Sequence, residues 1–157
     1  MKKLLEEILP AREGELKWNT EDTPHSISIS PGELHEFMKK LYETEGLYFD
    51  MLSCISGIDN GPEAGTMEVI YNLTSIPYEH HLMVKVEVSR ESPSVPTVCD
   101  IWRTAEWLER ETFDLLGIRF EGHPDLRRIL LPADWKGYPL RKDYTHEEYY
   151  HGIRIAY

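Results

Sequence analysis

The residues whose types could support chemistry are concentrated in the segment from Glu109 to Tyr144. Glu109 and Glu111 have the spacing of a close carboxylate pair, and Asp114 and His123 follow them. Paired carboxylates can act as general acid and base, and carboxylates with imidazole can bind a metal ion. Either chemistry requires that the side chains converge, so it depends on the elements that carry them.

The helix predicted to carry the two glutamates holds them apart. On a helix, Glu109 and Glu111 point in directions that differ by about 200°, so they cannot share one substrate or proton. Residues four apart do lie side by side, and Glu106 with Arg110, and Arg110 with Asp114, have this spacing. We therefore expect a solvated or interface face with two ion pairs rather than an acid–base site.

The sequence shows no pattern of metal or cofactor ligands. His80 and His81 are adjacent in a predicted strand and face opposite sides, and His123 has no second histidine at ligand spacing. Cys54 and Cys99 form no C-x-x-C pattern, so we expect two buried thiols rather than a disulfide, a zinc site or an iron–sulfur cluster. No glycine-rich phosphate loop occurs, which leaves nucleotide cofactors without their usual binding motif.

Composition limits the possible partners. The chain has 157 residues, the usual size of one domain, with 28 acidic and 17 basic side chains and a net charge of −11. This charge argues against nucleic acids and anionic membranes as partners. Glu6 and Glu7 interrupt the N-terminal apolar run, so we expect no signal peptide, and no stretch is long enough to cross a membrane.

The periodicity of apolar residues predicts two long helices and four strands. Ser30-Pro31-Gly32-Glu33 has the pattern of a capped helix start, and Gly117 follows the last residue of the second long helix. The predicted elements are a short helix at Lys2–Leu9, a strand at Ser26–Ser30, a helix at Leu34–Tyr42, an antiparallel meander of Leu47–Ile58, Met67–Ser75 and His80–Ser89, and a helix at Thr97–Leu116.

This order of elements predicts a two-layer α+β domain with the helices on one face of a mainly antiparallel sheet. We divide the chain into a body, residues 1–117, and an extended irregular arm, residues 118–157, within a single domain. Proline and glycine punctuate the arm and exclude a long helix or a central strand there. The arm is expected to dock on both the body and a partner.

The arm is locally basic on an acidic body. Residues 117–144 hold six basic and four acidic side chains, a net of +2. Adjacent residues of an extended chain face opposite ways, so one member each of Arg127/Arg128 and Arg141/Lys142 can tie the arm to the body while the other reaches a partner. We expect Arg128 to face a partner carboxylate. An arm folded wholly onto its own domain remains the alternative.

The arm is also rich in aromatic rings, too many for a solvated tail. We expect residues 132–157 to form an irregular strap that is only partly docked in the isolated chain and becomes ordered on a partner. The rings are those of Trp135, Tyr138, Tyr144, Tyr149 and Tyr150.

Several motifs in this region resemble the signature of the NuoC-type, or 30 kDa, subunit of complex I, the respiratory NADH:quinone oxidoreductase. Their order and spacing match over about 35 residues. The motifs are Glu109-Arg110-Glu111, Asp114-Leu115-Leu116-Gly117, His123-Pro124-Asp125-Leu126-Arg127-Arg128-Ile129-Leu130 and Pro139-Leu140-Arg141-Lys142-Asp143, preceded by Asp100-Ile101-Trp102.

The resemblance implies a hydrophilic subunit of the peripheral arm of the proton-translocating enzyme, on the cytoplasmic side of the bacterial inner membrane. Such a subunit has no cofactor and no activity of its own, and it binds the large quinone-site subunit through the signature region. NADH, FMN, iron–sulfur clusters and quinone belong to the partner subunits, and the membrane is reached only through the complex. Because the chain ends soon after the signature, we expect no fused quinone-site domain.

Under this interpretation no residue is catalytic, and the signature side chains form the partner interface. These are Glu109, Arg110, Glu111, Asp114, His123, Asp125, Arg127, Arg128, Trp135, Arg141, Lys142 and Asp143.

The sequence leaves two alternatives open. Related subunits occur in membrane-bound nickel–iron hydrogenases, formate hydrogenlyases and the ferredoxin-using plastoquinone oxidoreductase. A different class would be a free-standing small-molecule enzyme that uses Asp114, His123 and Asp125, which would require these groups to cluster in one apolar cleft with perturbed pKa values.

Overall fold

The computed structural model describes Leu5, residues 17–19 and residues 21–155. The helix predicted at Lys2–Leu9 lies outside the described residues, except for Leu5, which is buried in the core.

The body is built on a five-stranded sheet with the strand order β1-β2-β5-β4-β3. Its strands are β1 (Lys17–Asn19), β2 (Ser26–Ile29), β3 (Met51–Asp59), β4 (Thr66–Ser75) and β5 (His80–Ser89). The predicted antiparallel meander is confirmed, because β3 pairs with β4 and β4 with β5 in antiparallel fashion. The parallel pair in this sheet is β2 with β5, which are neighbours in the sheet although β3 and β4 lie between them in the sequence.

The first strand of the meander begins later than predicted, at Met51 rather than Leu47. Leu47 and Phe49 alternate as strand residues do, and both are fully buried. However, the N–H groups of Leu47 and Tyr48 bond back to the carbonyl of Thr44, so the chain turns here. Alternating apolar residues in the sequence therefore do not by themselves distinguish this turn from a strand.

The first long helix, α1 (Leu34–Glu43), has the predicted apolar spacing and buries Leu34, Phe37, Met38 and Leu41. A 3₁₀ turn, Pro31–Glu33, precedes it. The hydroxyl of Ser30 donates to the carboxylate of Glu33 at 2.7 Å and accepts no backbone N–H of the helix, so the predicted capped start does not form. No helix in the described residues is long and apolar enough to cross a membrane.

The second long helix, α2 (Ala105–Leu116), ends at Gly117 as predicted but does not begin at Thr97. The hydroxyl of Thr97 and the N–H of Val98 both donate to the carboxylate of Glu109, at 2.6 and 2.8 Å. Since Glu109 lies within α2, residues 97 and 98 must fold back over the helix and cannot be its first turn.

Both helices contribute to one core on one face of the sheet. Along β4 every second side chain is buried, and those between are half-exposed. Phe37 of α1 and Leu116 of α2 belong to the same buried cluster as Val69 and Tyr71 of β4. The architecture is therefore the predicted two-layer α+β arrangement.

The body extends beyond the predicted boundary at Gly117. Strands β6 (Ser94–Pro96) and β7 (Arg119–Glu121) form a separate two-stranded parallel sheet, and Ile118 and Phe120 are buried in the core. Beyond β7, the regular structure of the described chain consists of one short hairpin, β8 (Tyr149–Tyr150) and β9 (Ile153–Arg154).

Close contact between α2 and the sheet depends on Gly57 in β3. A Cβ atom at this position would lie 2.3 Å from Cδ1 of Leu116 and 3.0 Å from Cγ2 of Thr112. We expect Gly57→Ala to lower the free energy of unfolding by about 1–3 kcal/mol, measured by urea denaturation, because the added methyl group overpacks this contact.

The matched control is Gly32→Ala in the 3₁₀ turn, where an added Cβ would meet no atom within 4 Å. Its effect should be small. If the two variants were equally stable, α2 would not press on the sheet as tightly as the structure shows.

Candidate partner-binding site

The carboxylate of Asp114 joins α2 to the beginning of the arm. Its Oδ2 accepts the backbone N–H groups of Ile129, Leu130 and Leu131 at 3.0, 2.7 and 2.9 Å, and its Oδ1 accepts Nη1 of Arg128 at 2.7 Å. Burial favours a raised pKa for Asp114, but these backbone donors and the guanidinium outweigh burial and lower its pKa. Asp114 is therefore an internal, charged anchor for the arm.

Arg128 continues this anchor into the arm. Its Nη2 donates to the carbonyl oxygens of Trp135 and Gly137 at 3.1 and 2.9 Å. Its guanidinium carbon also lies 5.3 Å from the centre of the Tyr138 ring, a cation–π contact. One side chain thus holds the arm at several points on either side of a turn.

Arg141 approaches the same Tyr138 ring, at 4.8 Å from its centre, and donates from Nε to the carbonyl of Leu116 at 2.7 Å. The ring lies against Gly117, where a Cβ atom would be 2.5 Å from it. Gly117 also has a φ of 76°, which other residues rarely adopt. The end of α2 is thereby shaped to receive the arm.

The structure confirms that Arg127 and Arg128 face opposite ways but reverses their predicted roles. The side chain of Arg127 is 72% exposed and pairs with Asp125 at 2.8 Å, whereas that of Arg128 is 15% exposed. The expectation that Arg128 faces a partner is wrong, because its donors are used within the chain. Arg127 is the exposed arginine of the pair.

Arg110 also binds the arm rather than its own helix. Its Nε and Nη2 donate to the carbonyl oxygens of Arg127 and Arg128 at 3.2 and 3.3 Å. Its guanidinium carbon lies 5.3 Å from the centre of the Trp107 ring. Trp107 itself is exposed.

Burial contradicts the predicted solvated face of α2. Glu109, Arg110 and Asp114 are buried, while Glu111 is exposed. The predicted ion pair between Arg110 and Asp114 is replaced by the pairing of Asp114 with Arg128. On the face predicted to be solvated, the helix instead makes hydrogen bonds and an ion pair within the chain.

A second anchor holds the far part of the arm at the end of β3. The buried Asp59 carboxylate accepts Nε of Arg90 at 2.8 Å and the backbone N–H of Lys142 at 2.8 Å. Arg90 also pairs with Asp143, and Nζ of Lys142 donates to the carbonyl of Asn60 at 3.2 Å. The Arg90 guanidinium, with the N–H of Lys142, holds the pKa of Asp59 far below its usual range despite burial.

Glu109 lies at the bottom of a third polar cluster. Besides Thr97 and Val98, the thiol of Cys99 donates to its Oε2 at 3.4 Å. Burial raises the pKa of Glu109, although the Thr97 and Val98 bonds oppose this effect. The ligating atoms of Cys99, Glu109 and His123 all lie within 4.8 Å of one another, so this cluster is where the described residues could hold a metal ion.

The other predicted interface residues are divided between surface and interior. Glu111, Asp125, Lys142 and Asp143 are exposed. Trp135 is half-buried, donates from its indole to the hydroxyl of Tyr144 at 3.1 Å and packs on Tyr150.

Three exposed apolar residues were not predicted from the sequence. Leu130, Leu140 and Trp107 are exposed, although Leu130 and Leu140 lie within segments whose backbones are bonded to α2. We call these three residues the helix–arm patch. The sequence offered one indication for the two leucines. They are apolar residues in a proline-rich segment that has neither helical nor strand periodicity.

Removal of the Asp114 carboxylate should destabilise the isolated chain. We expect Asp114→Ala to lower the free energy of unfolding by about 3–5 kcal/mol in urea denaturation, because Arg128 and three backbone N–H groups lose their partner. Glu111→Ala, an exposed site in the same helix, should change it by less than about 0.5 kcal/mol. Equal effects would contradict the anchor role of Asp114.

The Asp59 anchor should be sensitive to acid. Because the folded-state pKa of Asp59 is depressed, its stabilisation is complete above the ordinary carboxyl pKa of about 4 and is lost as the pH falls below that value. Urea denaturation between neutral pH and pH ~3 should show a steeper loss of stability in the wild type than in Asp59→Asn. Parallel pH profiles would show that Asp59 does not couple protonation to folding.

Comparison with known proteins supports the resemblance found in the sequence. Residues 27–150 match the model of the family described as the respiratory-chain NADH dehydrogenase, 30 Kd subunit. A protein of Chloroherpeton thalassium, named as a subunit of NADH-quinone oxidoreductase, is 53% identical over 116 residues, which are 73% of this chain and 48% of that one. A protein of the same name in Chlorobium phaeobacteroides is 48% identical over 112 residues, 71% of this chain and 67% of that one.

Two solved structures are similar in fold. The trypsin-resistant fragment of Nqo5 has a TM-score of 0.63 at 33% identity and covers 80% of this chain and 98% of the fragment. A chain of the membrane-bound sulfane sulfur reductase, an archaeal respiratory membrane complex, has a TM-score of 0.74 at 25% identity, with 92% of this chain and 82% of the other covered.

The chain spans about half the length of the Chloroherpeton thalassium relative, 48%. The family match, in contrast, covers most of this chain, from residue 27 to residue 150, including every motif of the signature. The chain therefore belongs to the family of 30 kDa subunits of the respiratory-chain NADH dehydrogenase.

Proposed function

We propose that this chain is a non-catalytic, hydrophilic subunit of the peripheral arm of a proton-translocating NADH:quinone oxidoreductase. It supports assembly with the quinone-site subunit and so the transfer of electrons from NADH to quinone. FMN, the iron–sulfur clusters and the quinone are held by other subunits. The protein resides on the cytoplasmic side of the bacterial inner membrane and reaches the membrane through the complex.

The observation that carries this proposal is the helix–arm patch. Leu130 is 61% exposed and Leu140 is 58% exposed, yet their N–H groups are fixed to Asp114 and to the carbonyl of Leu115. Trp107, which is 60% exposed, lies beside the Arg110 guanidinium that holds the arm carbonyls. Fixed, exposed apolar side chains of this kind favour a protein partner, since they bind without further loss of backbone entropy.

The exposed charges of the arm and of α2 suit a partner that offers charged groups of both signs. Arg127 and Lys142 are exposed on the arm, and Glu111 and Asp125 are exposed near the same helix and turn. Rim charges of this kind set orientation and association rate more than affinity. We therefore assign affinity to the apolar residues and register to the exposed members of the predicted signature interface.

The alternatives are less favoured. The curated relatives at 53% and 48% identity are named as subunits of NADH-quinone oxidoreductase rather than of a hydrogenase or a plastoquinone enzyme. A free-standing enzyme using Asp114 and His123 is opposed by their contacts. Asp114 is buried with its oxygens bonded to the arm, and both nitrogens of His123 contact the backbone, at Glu106 and Asp125.

A charge placed in the helix–arm patch should prevent assembly without unfolding the subunit. We expect tagged Leu130→Asp, expressed in the native host, to recover at least about tenfold less quinone-site subunit than the wild type in affinity purification from membranes, because it places an unpaired charge in an apolar interface. Mass spectrometry of the recovered proteins measures this, and a flavin-bearing NADH subunit in the wild-type sample would identify the electron donor.

The matched control is Ile76→Asp. Ile76 is 61% exposed, as Leu130 is, but it lies in the turn between β4 and β5, at the end of β4 opposite to Asp59. It should leave recovery of the quinone-site subunit unchanged, and both variants should have near-wild-type melting temperatures. Recovery of the partner with Leu130→Asp at the wild-type level would overturn the proposed interface.

A further inference from the structure

Glu109 differs from the other buried carboxylates in the described part of the chain. Asp59 is paired with Arg90, and Asp114 with Arg128. Glu109 is fully buried, and its hydrogen bonds come from the Thr97 hydroxyl, the Val98 N–H and the Cys99 thiol, all of them neutral donors. A buried carboxylate with no charged hydrogen-bond donor is costly, so this position favours a positively charged ligand.

The groups around Glu109 are those that bind transition metals. The Cys99 sulfur lies 3.4 Å from Oε2 of Glu109, and the ligating atoms of Cys99, Glu109 and His123 lie within 4.8 Å of one another. Cys99 and His123 are half-buried while Glu109 is fully buried. Glu109 is therefore the most buried member of the cluster, and Cys99 and His123 lie nearer to solvent.

We propose that Cys99, Glu109 and His123 form a zinc-binding site. Zinc is ligated by thiolate, carboxylate and imidazole, with three protein ligands and a water as one common arrangement. A Zn²⁺ ion with one thiolate, one carboxylate and one neutral imidazole has no net charge, which suits a partly buried position. On binding, the thiol proton of Cys99 passes to solvent and the sulfur forms the bond to zinc.

The distances are close to those that a tetrahedral ion needs. Bond lengths of about 2.3 Å to sulfur and about 2.0–2.1 Å to nitrogen and oxygen place neighbouring ligand atoms roughly 3.3–3.6 Å apart. The Cys99–Glu109 pair already has this separation, at 3.4 Å. The His123 nitrogen needs to approach the other two ligating atoms. All three atoms already lie within 4.8 Å of one another, so a small movement of this half-buried ring is enough.

His123 is oriented for this role by the backbone. One ring nitrogen accepts the N–H of Asp125 at 3.0 Å, and the other contacts the carbonyl of Glu106 at 3.1 Å. Whichever nitrogen binds the ion gives up one of these bonds, and the other bond continues to fix the ring. Ligating histidines are commonly held by such a backbone contact.

An orphaned polar group lies beside the cluster. The hydroxyl of Tyr71 is buried and has no hydrogen-bond partner among the described residues. Burial raises the pKa of Tyr71 most, and charge on Glu109 and Cys99 raises it further. A water on the zinc ion is the kind of partner that this hydroxyl lacks.

The site would act as a structural crosslink. Cys99 follows β6, Glu109 lies in α2, and His123 follows β7, so one ion would bind three segments together immediately before the arm. Zinc binding releases the thiol proton of Cys99, so the zinc affinity should rise with pH.

The test is a zinc titration of the chelator-stripped full chain in competition with a chromogenic chelator. We expect stoichiometric binding to the wild type and at least about tenfold weaker binding to Cys99→Ser and to His123→Gln. Cys54→Ser is the matched control, because Cys54 is also half-buried but bonds to Asn72. With Co²⁺ instead of Zn²⁺, the wild type and Cys54→Ser should show thiolate-to-cobalt absorption, and Cys99→Ser should not.

A second measurement covers the case in which the ligand variants fold poorly. In the wild type, Zn²⁺ should protect Cys99 from alkylation by a maleimide while leaving Cys54 as reactive as before, as read by peptide mass mapping. Equal zinc affinity in wild type and Cys99→Ser, no stoichiometric binding to the wild type, or unchanged labelling of Cys99 would each overturn the proposal.

Discussion

The junction between helix α2 and the arm depends on the need to satisfy the buried charge of Asp114. A carboxylate removed from water requires donors on all sides, and Asp114 obtains them from Arg128 and from three consecutive N–H groups of the arm. This requirement forces residues 129–131 to follow the end of the helix. The position of Leu130, and the turn that Arg128 closes through the carbonyls of Trp135 and Gly137, follow from it.

Most of the fold could be predicted from local patterns, because each strand of the meander and each helix carries its own apolar period. The arm could be predicted only in outline. Strand geometry indicated that one arginine of the Arg127/Arg128 pair would tie and the other would face outward, but nothing local distinguishes them. That choice is made by Asp114, fourteen residues away in sequence from Arg128. The start of α2 was misjudged for the same reason, since Glu109 draws Thr97 and Val98 back over the helix.

The sequence predicted which segment holds the candidate site, but not which of its side chains are exposed. Charged residues in the signature were expected to contact a partner, yet Glu109, Arg110, Asp114 and Arg128 make their contacts inside the chain. The side chains left exposed with a fixed backbone include Leu130 and Leu140, which have no periodic pattern to mark them. The motifs therefore indicate the family correctly, but several motif residues that were predicted to lie at an interface are buried within the chain.

The two anchors of the arm also bear on how it becomes ordered. Arg128 is fixed by Asp114, and Lys142 and Asp143 are fixed by Asp59 and Arg90, so the segment between them is closed at both ends. Once one end is bound, the other searches only the short range that its tether permits, at an effective concentration in the millimolar range for short flexible tethers. Closure of the loop is therefore cooperative, and the fixed positions of Leu130 and Leu140, both within it, form together rather than one at a time.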